Sequence, residues 1–251
     1  VFSVRTKDGL KAFRNVCRHR GARLLPEGTG HCTTIRCPYH QWVWGEDGSL
    51  LNVPWWGEDP DFNKNEWALD TVELHEWRGF LFASLLPKMP LEEQLGALVS
   101  EIKDEPIEKY KWVHEERLVF DANWKIYTDN FVEGYHIPGI HPKFLSAIEF
   151  EKFETIALEG MVKMTAPPRE ELFYRGKWLW MWPNWTLSLF DGGMNTSRIN
   201  PINHHQTELI YNFYFEDISK NNAPKRAKTI ADNLEVIRED FEICVSTQRN
   251  Y

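Results

Sequence analysis

The sequence predicts an α+β protein of two domains, a small all-β module followed by a larger domain in which helices accompany long strands. Three observations carry this. Residues 1 to about 86 hold only short runs of alternating apolar character separated by turn residues. The proline-bounded break LPKMP, 86–90, is followed by leucines at helical spacing. Beyond it, strand-like runs end in one long helical stripe. With 251 residues, 42% apolar and 14% aromatic, the chain can bury a core in each part.

The opening stretch VFSVRTKDGLKAFRNV reads as a hairpin turning at Asp8-Gly9, because an Asp-Gly pair tolerates the positive φ of a tight turn. Residues 11–16, 33–36, 41–44, 71–76 and 79–85 are the strands of the module. After the break, Leu91, Leu95, Leu98 and Ile102 form one face of a helix. A strand over 117–121 follows, then a helix through NWKIYTDNFVEGYH that Pro138 and Gly139 end. Long strands are expected between about 153 and 215. The last helix covers about 223–248, with Ile230, Leu234, Ile237, Phe241 and Cys244 as its buried stripe.

A formal charge of −8 and the lack of any dense Lys/Arg cluster argue against a nucleic-acid or anionic-membrane partner, so a small molecule is the expected ligand. No apolar run reaches the roughly 18 residues of a membrane span, and the N-terminus lacks a signal-peptide pattern, so a soluble cytoplasmic protein is expected. The chain opens at Val1 inside strand-like sequence, as a piece of a longer chain would. Four cysteines at this length suggest bound metal or plain burial rather than a disulfide framework.

CRHR at 17–20 and CPYH at 37–40 carry the first chemical signal. Structural zinc sites usually group the two Cys and then the two His, because each pair closes one local loop around one ion. Here each loop offers one thiolate and one imidazole. That suits a two-iron cluster with Cys17 and Cys37 on one iron and His19 and His40 on the other. Two neutral imidazoles in place of two thiolates raise the potential, so the site would accept and pass single electrons. Two buried cysteines with surface histidines, or a zinc site, are the alternatives. Cys32 has no His three residues on and reads as a small buried hydrophobe.

The second signal lies in NWKIYTDNFVEGYHIPGIHP. His136 and His141, five apart, would not share a helix face, but the break at Pro138 and Gly139 can swing His141 back toward His136. A non-haem Fe(II) that must bind both O2 and substrate needs open positions, which two His and one carboxylate on one face leave free. Asp240, at the edge of the last helix's buried stripe, can supply the carboxylate, with a structural salt bridge as the alternative. Glu239 and Glu242 point to the solvent side of the same wheel. Glu133, three before His136, falls one turn away on the same face; an ordinary surface carboxylate is the other reading.

CRHRGARLL and CPYHQWVW resemble the two ligand loops of Rieske [2Fe-2S] domains. Together with NWK, EGYH and the EDFEIC helix, they make nearly the whole chain similar to the large (alpha) subunits of Rieske non-haem iron oxygenases. That family includes aromatic-ring-hydroxylating dioxygenases and quaternary-ammonium oxygenases. The resemblance implies a Rieske domain over 1–86 and a helix-grip catalytic domain with an antiparallel sheet over 87–251, each lacking a terminal segment of the family. It implies Cys17, His19, Cys37 and His40 as cluster ligands, and His136, His141 and Asp240 as ligands of mononuclear Fe(II). It makes Glu133 the acidic residue that connects this iron to the cluster of a neighbouring subunit. Asp is usual at that position; Glu is also found in enzymes that oxidise quaternary ammonium compounds.

Such a path implies a homotrimer. Without a GxGxxG fingerprint in the chain, NAD(P)H electrons would arrive through a separate reductase or ferredoxin. O2 would be co-substrate, and the product a hydroxylated or demethylated small molecule. A quaternary ammonium substrate is the leading reading and ring hydroxylation of an aromatic compound the alternative. An electron-transfer protein with a non-catalytic second domain and a zinc-stabilised binding module are the readings from other classes.

KWLWMWPNWTLSLF sets Trp178, Trp180 and Trp182 at period two, on one face of a strand that the resemblance lays over the iron site. These indoles would suit a quaternary ammonium by cation–π attraction, or a flat or alkyl ligand, or would simply pack the core. Trp55 and Trp56 read as packing or subunit interface. His204 and His205 read as turn residues, and His31, His75 and His114 show no partner in the sequence.

Overall fold

The opening hairpin pairs β1 (Phe2–Thr6) with β2 (Gly9–Phe13), turning through Lys7 and Asp8, with Gly9 at φ 115° as the first paired residue. This computed structural model describes residues 1–57, 59–169 and 175–251, and divides into two units, Val1–Leu91 and Glu92–Tyr251.

In the first unit, β3 (Thr34–Arg36), β4 (Val43–Gly45) and β5 (Leu50–Asn52) form a three-stranded sheet. A four-stranded sheet takes the order β1-β2-β6-β7, with β6 (Thr71–Trp77) and β7 (Phe80–Ser84). Phe13, Ile35, Trp42 and Trp44 are buried between them, and Trp44 Nε1 donates to the Trp67 carbonyl at 2.9 Å. β2 ends before residues 14–16, where alternation alone continues it, because Asn15 leaves the sheet. Its Oδ1 accepts from the Leu24 and Leu25 amides at 3.1 and 2.9 Å, and its Nδ2 donates to the Leu25 carbonyl at 2.8 Å. That clamp closes the loop carrying Cys17 and His19.

From the last residue of the first unit onward, α1 (Leu91–Leu95) and α2 (Ala97–Glu101) replace the single expected helix, broken at Gly96, which sits at φ 47°. The expected stripe Leu91, Leu95, Leu98 and Ile102 is buried all the same. The strand expected at 117–121 is β8 (Lys111–Phe120), longer because its charged first half alternates toward solvent as an edge strand does. It begins a seven-stranded antiparallel sheet of order β8-β14-β13-β12-β11-β10-β9. The other strands are β9 (Glu154–Leu158), β10 (Met161–Thr165), β11 (Lys177–Met181), β12 (Trp185–Phe190), β13 (Gly193–Asn203) and β14 (Gln206–Phe215). His204 and His205 make the turn between β13 and β14.

α3 (Trp124–Phe131) and α6 (Ala223–Gln248) pack on this sheet, with Tyr127, Leu234, Ile237 and Cys244 set against Phe120, Tyr211 and Phe213. Between α3 and β9 run two short helices, α4 (Ile137–Ile140) and α5 (Pro142–Ala147). α5 is tied to α6 by Lys143, whose Nζ donates to Asp232 and Glu235 at 2.7 Å each, and Lys228 reaches Asp232 at 2.6 Å. Burial raises the Asp232 pKa, but the two lysines outweigh it and hold it below the ordinary carboxylate value. A depressed carboxyl stabilises the fold above its unfolded-state pKa and ceases to as pH falls through the folded-state value. Asp232→Asn should therefore cost about 1–2 kcal/mol at pH 7, discounted for the exposed lysines. In urea unfolding, the gap between the two proteins should shrink steadily below about pH 4.

Candidate metal centres

The two loops of the first unit are built alike. The Cys17 amide donates to the Ala22 carbonyl at 2.8 Å and the Gly21 amide to the Cys17 carbonyl at 2.9 Å. In the second loop the Cys37 amide donates to Trp42 at 2.9 Å and Gln41 to Cys37 at 3.2 Å. The fifth residue of each loop is left-handed, Gly21 at φ 70° and Gln41 at φ 60°. The loops face each other: both Cys are buried, and the rings of His19 and His40 lie 4.6 Å apart, centroid to centroid.

These residues fit a two-iron cluster. His19 Nδ1 is buried with no hydrogen-bond partner in the protein, and a buried imidazole nitrogen left unpaired is costly. Burial pushes the Cys17 thiol up, against the His19 and Arg20 amides that favour the thiolate, so iron is what would hold it deprotonated here. Trp42, which sequence reasoning missed, stacks on His19 at 4.8 Å and 5° and fixes the ring plane. Trp56 packs against Phe62 at 5.0 Å, whereas Trp55 is exposed.

The expectation for Cys32 is corrected: it is exposed, because 26–34 is exposed along its whole length and offers no apolar neighbours. Cys244 is buried, and burial with Asp240 nearby pushes its thiol up to about 12. In cluster-loaded protein, a thiol reagent should therefore label Cys32 quickly and leave Cys244 unlabelled; mass spectrometry of the digest reads this directly.

In the second unit, α3 is capped by Asn123, which accepts from the Lys125 amide at 3.0 Å, and ends at Phe131 rather than at Pro138. Glu133 therefore lies in a turn and not on a shared helix face with His136. Gly134 is needed in that turn, since a Cβ there would stand 2.3 Å from the Phe153 ring. Pro138 occupies the first turn of α4, where a missing N–H costs nothing, and so starts a helix instead of ending one. His136 and His141 flank that single turn, with ring centroids 5.1 Å apart.

Asp240 comes to them from α6. Its Oδ1 lies 2.9 Å from His141 Nε2 and 3.7 Å from His136 Nε2, and it accepts from Asn130 Nδ2 at 2.8 Å. One ligand atom from each of the three residues lies within 4.8 Å of the others, the one such group among the described residues. The far ring nitrogens face carboxylates: Glu133 bonds His136 Nδ1, and Glu239 Oε2 sits 2.6 Å from His141 Nδ1. A proton on each Nδ1 turns each Nε2 lone pair toward the common point, the pattern of carboxylate–histidine–metal sites. Burial lowers the His141 pKa, but Asp240 and Glu239 outweigh it and raise it above the ordinary imidazole value. The donor set of two imidazoles and one carboxylate fits Fe(II) with open positions.

Glu239 corrects the reading that set it toward solvent. The helical wheel places it off the sheet, and α4–α5 return over that side of α6 with His141. Glu239→Ala, which removes the acceptor on His141 Nδ1, should weaken mononuclear iron binding roughly 10–100-fold while the cluster absorbance stays unchanged.

A cavity opens beside His136, His141 and Asp240, walled by Phe144, Phe153, Met164 and Trp178. The Phe144 and Phe153 rings lie 5.3 and 6.2 Å from that of Trp178. Of the three indoles expected to share one face over the site, only Trp178 lines it. Trp180 is buried in the core between sheet and helices, and Trp182, past the end of β11, is 63% exposed. Glu133, His136 and Asn130 line both this cavity and an open outer groove. His75 and His114 do have partners, Glu73 at 3.4 Å and Glu116 at 3.1 Å, each two residues along the same strand. No helix of the described residues is long and apolar enough to cross a membrane.

Two family models match the chain: the Rieske [2Fe-2S] domain over residues 1–63, and the catalytic domain of the ring-hydroxylating alpha subunit over 107–167 and 152–251. Chloroplastic choline monooxygenase of Amaranthus tricolor is 29% identical over 97% of this chain and 59% of its own length. The carnitine monooxygenase oxygenase subunit of Escherichia coli K12 is 30% identical over 86% of this chain and 62% of its own. The chain thus spans about six-tenths of the length of these curated relatives. A solved quaternary ammonium Rieske monooxygenase superposes with a TM-score of 0.85 at 26% identity, over 98% of this chain and 71% of that one.

Proposed function

The chain belongs to the ring-hydroxylating alpha-subunit family with a Rieske [2Fe-2S] domain, and from that premise we propose that it is an oxygenase component acting on a quaternary ammonium compound. The single observation that carries the proposal is the convergence of His136, His141 and Asp240 beside an aromatic cavity with no lysine or arginine among the described residues lining it. An aromatic wall without cations attracts a quaternary ammonium group through the ring quadrupoles of Trp178, Phe144 and Phe153. Relatives named for choline and carnitine oxidation support the same class.

When bound, the mononuclear iron supplies O2 activation and the cluster supplies electrons one at a time. Monooxygenation places one oxygen atom in a substrate C–H bond and releases the other as water, consuming two electrons and two protons. Glu239 and Glu133 hold the protons on His141 Nδ1 and His136 Nδ1, and Asn130 fixes Asp240. The apolar wall excludes water from the reacting carbon.

Glu133 has one carboxylate oxygen on half-buried His136 and a side chain 40% exposed at the outer groove. That position supports the reading in which electrons arrive at His136 from the cluster of a neighbouring subunit, within a homotrimer supplied with NAD(P)H electrons by a separate reductase. The test is turnover with a surrogate reductase, NADH and O2. Choline or carnitine should give O2-dependent product while an aromatic acid gives none; product from the aromatic acid alone would contradict the substrate class.

A further inference from the structure

The cavity has a polar end as well as an aromatic one. Its floor is a single rank across four strands: Met164 opposes Trp178, Trp178 opposes Ser188, Ser188 opposes Asn195, and all four line the cavity. Asn195 is 1% exposed. A chain of hydrogen bonds fixes which way its amide faces. The Thr229 carbonyl can only accept, and it takes Asn233 Nδ2 at 2.8 Å. Asn233 must then turn Oδ1 to Asn195, which donates its Nδ2 at 3.0 Å. What remains is Asn195 Oδ1, buried and without a hydrogen-bond partner in the protein. A buried carbonyl oxygen left unpaired by the protein is unfavourable until a donor reaches it.

Charge narrows the donor further. The acidic groups on the cavity are Glu133 and Asp240, and no lysine or arginine among the described lining residues could neutralise a substrate carboxylate. Two inter-strand spacings separate Trp178 from Asn195, about 10 Å, a span a small amino alcohol bridges once the indole's own reach is subtracted.

Resting on the quaternary ammonium reading above, we propose that Asn195 Oδ1 is a specificity-determining acceptor for a substrate hydroxyl. The preferred substrate is then a quaternary ammonium alcohol without a carboxylate, as choline is, bound with its cation at Trp178 and its O–H at Asn195.

The test is calorimetric titration of the anaerobic protein, loaded with cluster and iron, with choline, ethyltrimethylammonium, carnitine and glycine betaine. Ethyltrimethylammonium lacks only the hydroxyl. Choline should bind at least about 10-fold tighter than it, and tighter than either carboxylate. Asn195→Leu should bring choline and ethyltrimethylammonium within about 3-fold of each other by weakening choline alone. If that variant does not fold, the comparison of the two ligands on the native protein still decides. Equal binding of the two, glycine betaine binding tighter than choline, or full discrimination retained in Asn195→Leu would overturn this inference and leave the quaternary ammonium reading standing. Failure of all four compounds to bind would overturn both.

Discussion

Asp240→Ala is expected to yield a protein that keeps its cluster, loses mononuclear iron and forms no product above background. Among the described residues, Asp240 is the one carboxylate whose oxygen reaches both His136 Nε2 and His141 Nε2. With it gone, two imidazoles remain, and two neutral ligands hold Fe(II) poorly against water. The first unit carries its own loops and its own core, so cluster absorbance and reduction should match those of the native protein. Metal analysis should fall by one iron per chain. Full iron content with unchanged turnover would remove Asp240 from the site.

Glu133→Gln is expected to lower steady-state turnover by about 100-fold while iron content stays within about 10-fold of native affinity. Glutamine still offers an oxygen to His136 Nδ1, so the ring keeps its orientation, but the negative charge that links His136 to the outer groove is lost. A purely structural Glu133 would show its effect in iron binding. A connecting one shows it in the rate at which a reduced cluster is reoxidised under O2 and substrate, and Glu133→Asp, which keeps the charge, should recover most of that rate. Reoxidation of the Gln variant at the native rate would contradict the connecting role.

What was legible in the sequence followed distance along the chain. The cluster loops could be read because each is a few residues long, so that CxH and CxxH alone bring their donors together once β3 and β4 set the loops face to face. Asp240 could be read from the buried stripe of α6, because a helical wheel reports the side that meets the sheet. The same wheel was blind to Glu239, since the chain that covers its side, α4 and α5, packs there from 98 residues away. Period two placed three tryptophans on one face, but β11 stops at Met181 and Trp182 leaves it. Asn195 carried no signal because β13 is buried on both faces there, where strand alternation disappears. In the sequence Pro138 reads as a helix breaker; in the first turn of α4 it is a helix starter, and only the place where α3 ends decides between the two.

The most direct test of the central claim, a mononuclear non-haem iron held by His136, His141 and Asp240 beside a quaternary ammonium pocket, is EPR of the reduced protein exposed to nitric oxide, recorded with and without choline. A ferrous nitrosyl signal from the second unit, altered by choline and absent in Asp240→Ala, is the predicted result. Iron-replete protein that shows the Rieske signal and no nitrosyl signal would contradict the account, and would leave an electron carrier in its place.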